Sequence, residues 1–357
     1  MRAIQMVRPE ARGVSYGDDV EVPTPGPGEV RVRVARTAIC GTDRHIYHWD
    51  ESISHLVRPP VTIGHEFCGY IDAVGDGVET WSEGDYVSAE MHIVCGHCRA
   101  CLRGDFHVCE HTKIAGLQQN GCFAESVVVP ASNLVRLDPE TVPPHIGALL
   151  DALGNAVHTV QAANTVEGRH VLLSGYGAIG AMAAAVVQFK GAASLTISEV
   201  SPGHLERAHE WAARMGDRVP IHIVNPLSEP DFAGKVREFS GGGVDVVLEM
   251  SGAVPAINDG LEVLYPGGEM VMLGIPAGRD LLIDRFSERV IFKGLTLKGV
   301  VGRRMFDTWD EMLSMLKLGL DLDHIVTHQL PLSSFEEGIA LLDKGEAHKV
   351  VLDPSAG

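Results

Sequence analysis

The sequence predicts an α/β protein organised around a doubly wound, parallel-sheet domain at roughly residues 160–294. Three observations carry that expectation. Gly175, Gly177 and Gly180 form G-x-G-x-x-G immediately after the short apolar run His170–Ser174 and immediately before an Ala-rich stretch suited to a helix. Glu199 follows Gly180 by 19 residues, at the end of a second apolar run, "SLTISEV". The later runs "GVDVVLEMSG" and "GGEMVMLGIP" read as further strands buried on both faces, with glycine-rich ends.

Each part of the fingerprint has a chemical use. The glycines let backbone N–H groups at a helix N-terminus approach a pyrophosphate, and the acid closing the second strand bonds both hydroxyls of a ribose. A carboxylate at that position repels a 2′-phosphate. NAD is therefore expected over NADP.

Before this domain stands "MHIVCGHCRACLRGDFHVCEHT", residues 91–112, which holds four of the seven cysteines. Cys95, Cys98, Cys101 and Cys109 are spaced C-x2-C-x2-C-x7-C, so that three thiols share one tight turn and the fourth returns to them. Four thiolates close a tetrahedral cage around zinc and leave no open position, so the site is structural. An iron–sulfur cluster and a disulfide pair are the competing uses of these cysteines. Arg99, Arg103 and Lys113 are placed to offset the cage's charge. Cys68 and Cys122 stand alone in apolar surroundings and read as small core residues.

A different set lies earlier. Cys40, His65 and Glu66 offer one sulfur, one imidazole and one carboxylate from two separate segments, a mixed and incomplete set that suits catalytic zinc. Val30, Val32 and Val34 alternate with Arg31 and Arg33, which is strand periodicity, so Cys40 sits just beyond a strand end. The competing reading has His65 and Glu66 only bracing a turn between Gly64 and Gly69.

Global properties narrow the field. The 357 residues allow about two domains on the usual prior. A net charge of −18 argues against a phosphate-backbone binder, and no apolar run reaches the ~20 residues of a membrane helix. The first residues, "MRAIQMVRPEARG", lack a secretory pattern, so a cytoplasmic location with reduced thiols is expected. The stretch "GRRMFDTWDEMLSMLKLGLDLDHIV" reads as a loop entering an amphipathic helix with Met312, Leu313, Met315 and Leu316 on its apolar face. Repeats, low-complexity tracts and a linker are absent from the sequence.

With these motifs in place, the chain resembles the zinc-dependent medium-chain dehydrogenase/reductase family and, within it, the L-threonine 3-dehydrogenases. The matching segments run nearly end to end and include "TAICGTDRHIYHWDE", "GHE", "HIVCGHCRACLRGDFHVC", "GNAVHTV", "SGYGAIGAMAAAV" and "VIFKGLTLKGVVGRRMFDTW". "CGTDRHIYHWDE", "GNAVHT" and "GRRMFDTW" are the more particular to the threonine enzymes. The resemblance implies a GroES-like, mainly-β catalytic domain made of residues 1–159 with the return 295–357, enclosing the Rossmann domain 160–294.

The resemblance also implies roles. Cys40, His65 and Glu66 would hold a catalytic zinc, with Asp151 set against the zinc or its water, and the cysteine lobe a structural zinc, two ions per subunit. Thr42 and His45 match a proton relay, and His92 a histidine shaping the substrate site. Ile179, Glu199, Leu273, Gly274, Ile275, Val300 and Val301 match the lining of the NAD pocket, and His204 occupies the position where the family offers an arginine to the adenosine ribose. Ala152 and Leu153 replace the Pro-Phe or Pro-Leu that the family shows after the zinc-site acid. His48, Trp49, Asp50 and Arg304 are candidates, by resemblance of their segments, for meeting the ends of the substrate.

The implied activity is oxidation of L-threonine at its 3-hydroxyl to L-2-amino-3-oxobutanoate, with hydride transfer to NAD+ and the hydroxyl proton leaving through Thr42 and His45. A homotetramer acting on a small molecule is expected, with no nucleic acid and no membrane. The alternatives are a polyol or 2,3-butanediol dehydrogenase of the same family, and, from another class, a catalytically silent zinc-stabilised binding protein.

Overall fold

The computed structural model describes residues 1–216, 218–276, 278 and 280–356. The chain divides into two compact units, one of Met1–Ala152, Arg304–Gly319 and Val326–Gly357, the other of Leu153–Arg303 and Leu320–Ile325. Among the described residues no helix is long and apolar enough to cross a membrane.

The second unit is built on six parallel strands, in the spatial order Ile221–Val224, Ser194–Ser198, His170–Ser174, Val244–Glu249, Leu264–Met272, Thr296–Gly299. Numbered along the chain this is 3-2-1-4-5-6, the doubly wound order whose direction of travel reverses between His170–Ser174 and Val244–Glu249. Strands buried on both faces must be apolar throughout. Val171, Leu172 and Leu173 accordingly show no exposure, and each such side chain is worth ~1.5–3 kcal/mol of burial.

The Ala-rich stretch forms the helix Ala178–Lys190, buried from Gly180 to Val187, and Gly191 ends it in the left-handed conformation at φ 79°. The small residues bring helix and strand close. A Cβ on Gly180 would lie 2.1 Å from the carbonyl oxygen of Gly175, so the third glycine of the fingerprint is required by packing.

In the first unit the ten-residue strand Glu29–Ala38 is the organiser. It pairs antiparallel with Phe67–Val74, Ser126–Pro130 and Lys349–Asp353 within a seven-stranded sheet. Val30, Val32 and Val34 are buried while Arg31 faces outward to pair with Asp72 at 2.8 Å, as the alternation requires. The strand ends two residues before Cys40. Its partner register, Val351 opposite Ala38 and Leu352 opposite Thr37, extends to put Lys349 opposite Cys40.

Three details differ from the sequence reading, one being that Leu320–Ile325 joins the second unit instead of the returning segment 295–357. Thr296–Gly299 is the sixth strand of the parallel sheet, so the second unit runs on to Arg303 instead of ending at 294. With one large apolar residue, Leu297, this edge strand has no run to announce it. The earlier boundary falls at Ala152/Leu153 instead of 159/160, inside the helix Leu150–Ala162, which runs on through Gly154 without a break in the chain's direction to mark it.

Replacing Gly180 by Ala should destabilise the protein by ~1–3 kcal/mol, because the added methyl meets backbone that cannot yield without shifting the helix. Denaturant unfolding measures this, and a variant as stable as the wild type would refute the close-packing account.

Candidate active site

The first cluster forms around the end of Glu29–Ala38. Cys40 is the N-cap of the helix Gly41–His48, and His65 and Glu66 precede the strand Phe67–Val74. One potential ligand atom from each of Cys40, His65 and Glu66 lies within 4.8 Å of the others. The backbone of Glu66 is pinned to the organising strand: its carbonyl accepts from the Thr37 hydroxyl at 2.6 Å and the Ala38 N–H at 3.0 Å. Thiolate, imidazole and carboxylate at this spacing fit a zinc ion and leave room for a fourth ligand.

Two charged residues outside the expected set hold this cluster. Asp43, with no exposure, accepts from the Cys40 N–H at 2.9 Å through Oδ2, while its Oδ1 lies 3.7 Å from Nδ1 of His65. At that distance the carboxylate acts on the His65 imidazole through its charge, favouring the protonated ring, without a hydrogen bond to fix it. Lys349 reaches both carboxylate oxygens of Glu66, at 2.8 and 2.6 Å, with 4% and 0% of the two side chains exposed. Burial pulls the Lys349 ammonium down, but the adjoining Glu66 carboxylate and Cys40 push it above its ordinary value, so the pair is ionic.

Asp151 belongs to a neighbouring set. Its carboxylate groups with Glu90 and His92, again within 4.8 Å, and acts on His65 and Glu66 through its charge. Asp151 is thus outside the three-ligand set and close enough to bias it. Thr42 and His45 sit three residues apart on the helix Gly41–His48, hence on one face. The Thr42 hydroxyl lies 3.9 Å from the Cys40 sulfur, and His45 Nδ1 is 3.2 Å from Asp50 Oδ2 with 57% of its side chain exposed. Asp50 is held below its ordinary pKa by the Ser52 N–H, the Ser52 hydroxyl and His45. A relay from Thr42 to His45 would open to water at that exposed ring.

Cys95, Cys98, Cys101 and Cys109 converge as the spacing predicts. Four of the sulfur–sulfur distances are 3.5, 3.6, 3.9 and 4.0 Å. A tetrahedron with Zn–S bonds of ~2.3 Å has edges of about 3.8 Å, so the four thiols fit that ion. Burial opposes ionisation of Cys109, yet N–H donors from Cys95 and His111 bring its thiol down to about 6. Cys68 and Cys122 are buried elsewhere, on Tyr86 and Thr37 respectively, outside both ligand sets.

The cofactor residues gather at the carboxyl ends of the parallel strands. Gly175 has φ 95° and donates its N–H to the Ser198 carbonyl at 2.8 Å, joining the first and second strands. Gly177 is the N-cap of Ala178–Lys190 without a side-chain cap, and a Cβ there would meet only His204, at 4.0 Å. The helix end with Ile179 is therefore open to an anion. Glu199 lies just past Ser194–Ser198, its Oε2 accepting from the Tyr176 N–H at 2.6 Å and its Oε1 from the N–H groups of Val200 and Ser201 at 2.7 and 2.8 Å. Burial works against its charge, but His204 Nδ1 at 3.5 Å and these three N–H donors depress its pKa to about 2.

On the other side of the switch point, Leu273 and Gly274 donate to the Glu249 carbonyl at 2.9 and 3.1 Å, and Val300 to that of Met272 at 2.9 Å. Ile275 and Val301, at 89% and 56% exposure, offer bare apolar surface of the kind a flat ring system covers. Asp43, Glu90 and Lys349 are the site residues that sequence reasoning missed. The only trace of Lys349 is a charge heading the apolar run "KVVLD", and that of Asp43 an acid at the third position of a helix.

Comparison with known proteins agrees with this geometry. Residues 26–139 match the alcohol dehydrogenase GroES-like domain, and residues 178–318 match the zinc-binding dehydrogenase model. The L-threonine 3-dehydrogenase of Stenotrophomonas maltophilia K279a is 42% identical over 348 residues, 97% of this chain and 98% of that one. Among solved structures, 2R,3R-butanediol dehydrogenase from Bacillus subtilis superposes with a TM-score of 0.87 at 28% identity, over 99% of both chains. An Escherichia coli CFT073 alcohol dehydrogenase complexed with NADH (TM-score 0.86, 25% identity, 99% of both chains) is similar. So is a Sinorhizobium meliloti zinc-binding dehydrogenase bound to NADP (0.86, 26%, 99% of this chain and 100% of that one).

Two outcomes follow from the buried charges. Lys349→Met leaves the Glu66 carboxylate buried without its cation, and should cost ~3–5 kcal/mol in protein stripped of metal with a chelator. Thermal unfolding of the stripped variant reads this, and an unchanged midpoint would refute the pairing. Because the folded pKa of Glu199 lies below its ordinary value, its contribution to stability is complete above ~pH 4.3 and is lost as the pH falls toward about 2. The stability gap between wild type and Glu199→Gln should therefore shrink as the pH is lowered from 5 to 3.

Proposed function

This chain belongs to the L-threonine 3-dehydrogenases, a branch of the zinc-binding dehydrogenases, and we infer from that premise that it oxidises L-threonine at the 3-hydroxyl. The products are L-2-amino-3-oxobutanoate, NADH and a proton. The observation that carries this reading is the convergence of Cys40, His65 and Glu66, from separate segments, in a chain 42% identical to such an enzyme over 97% of its length.

Cys40, His65 and Glu66 would hold a zinc ion that serves as a Lewis acid toward the substrate hydroxyl, and the four-cysteine lobe would hold a second, structural ion. The chain's own residues do the rest. Lys349 and Asp43 keep the three ligands in place. Thr42 accepts the hydroxyl proton and passes it to His45, whose exposed ring and Asp50 partner deliver it to water.

NAD is the preferred cofactor on the strength of Glu199. Its carboxylate is fixed by three N–H donors and ionised at neutral pH, so a 2′-phosphate would meet a charge that cannot turn away. At 4 Å two such charges repel by about 4 kcal/mol under an effective dielectric of 20. The hydride step is the cofactor's own chemistry, and the protein supplies placement.

A diol substrate is the second reading, favoured by the likeness to 2R,3R-butanediol dehydrogenase. NADH formation at ~340 nm, the reduced nicotinamide band, with L-threonine, sorbitol and 2,3-butanediol in parallel separates the two. The expected result is turnover of L-threonine with NAD far exceeding every other combination; a dominant diol or polyol would overturn the substrate assignment. His45→Ala should lower kcat by ~10²-fold near neutral pH, with the loss easing as the pH rises. Wild-type turnover across the pH range would remove His45 from the relay.

A further inference from the structure

We propose that Glu90 is a positioning residue for His92, and that the pair recognises the ammonium group of the amino-acid substrate. The proposal rests on the threonine reading above and names the residues that meet one end of that molecule. Glu90 has no role in the proton relay or the three-ligand set, yet its side chain shows no exposure at all. An acid so buried is held by donors. Oε1 accepts from His92 Nδ1 at 2.8 Å and from the His92 backbone N–H at 3.0 Å, and Oε2 accepts from the indole N–H of Trp309 at 3.1 Å.

The backbone around the pair is equally fixed. Asn133 Nδ2 donates to the carbonyls of Glu90 and His92 at 2.6 and 3.2 Å, while the Glu90 N–H donates to the Asn133 carbonyl at 2.9 Å. A carboxylate only accepts, so it holds the proton of the neutral ring on Nδ1 and leaves Nε2 as an acceptor. About a quarter of the His92 side chain is exposed, whereas Trp309 is buried at 1%. Glu90 thus acts through the ring it fixes.

Charge selects what the ring meets. Asp151 joins Glu90 and His92 within 4.8 Å, so two carboxylates flank the imidazole. A cationic donor is favoured beside them and an anionic carboxylate is disfavoured. On L-threonine that leaves the ammonium. A neutral diol gains nothing from the arrangement, so the pair separates the two substrate classes of the family.

Glu90→Gln keeps the shape and removes the charge, and with a single acceptor oxygen for the two His92 donors it turns its amide N–H₂ against the indole N–H of Trp309, so the ring loses its charged anchor. In the zinc-loaded enzyme KM for L-threonine should rise about tenfold or more while kcat falls less than about threefold, the scale of one charge-assisted hydrogen bond. The competitive inhibition constant of L-2-aminobutyrate should rise in parallel, and that of butyrate, which lacks the ammonium, should not. Trp309→Phe removes one donor to Oε2 and should move the same ratio less far in the same direction; it also serves if Glu90→Gln fails to fold. An unchanged ratio between the two inhibitors in the variant that folds overturns the proposal, as does a fall in kcat with KM unaltered. If the wild-type enzyme does not oxidise L-threonine at all, the functional reading itself fails, which the unmodified protein reports independently.

Discussion

A carboxylate with no solvent exposure must be neutralised where it stands, and Glu66 is that carboxylate in this fold. Transfer of an unpaired charge to such a place costs several kcal/mol even after relaxation. Glu66 is met by the Lys349 ammonium at 2.6 Å, with Cys40 and His65 within 4.8 Å of it. The neighbourhood needs strand Glu29–Ala38 at its centre, because that strand pairs with both Phe67–Val74 and Lys349–Asp353 and so brings residues separated by nearly three hundred positions into bonding distance. The sheet of the first unit can be understood as the frame for this arrangement.

The same rule governs the other polar residues of the site. Asp43 is buried and supported by the Cys40 N–H, Glu90 by His92 and Trp309, and Glu199 by three backbone N–H groups with His204. Each acid is therefore fixed in orientation before any substrate or cofactor arrives. Pre-organised charge of this kind acts without reorganisation during the reaction, which is its advantage over solvent. The four cysteines apply the principle to sulfur, with N–H donors and mutual spacing preparing a cation site.

Local patterns were the legible part of the sequence. The cysteine spacing, the glycine fingerprint between strand and helix, and the valine–arginine alternation before Cys40 each express a constraint within a few residues, and each is found in the fold where the pattern put it. Glu199 was legible because its distance from Gly180 reflects one helix and one strand. Lys349, Glu90 and Trp309 were not. Their partners lie 283, 2 and 219 residues away, and even the short Glu90–His92 separation gives no sign that the acid points inward. The boundary at Ala152/Leu153 was hidden for the opposite reason, since a continuous helix leaves no local break.

The central claim is that this chain prepares two chemically distinct cation sites, one closed by sulfur and one mixed. X-ray absorption at the zinc edge, combined with the zinc content per chain, tests it directly. The account predicts about two zinc ions per chain, with a spectrum that combines a four-sulfur shell at ~2.3 Å and a nitrogen- and oxygen-containing shell at ~2.0–2.2 Å. One zinc per chain with a purely sulfur shell would contradict it, leaving Cys40, His65 and Glu66 a structural ion-pair cluster and withdrawing the Lewis acid on which the proposed oxidation depends.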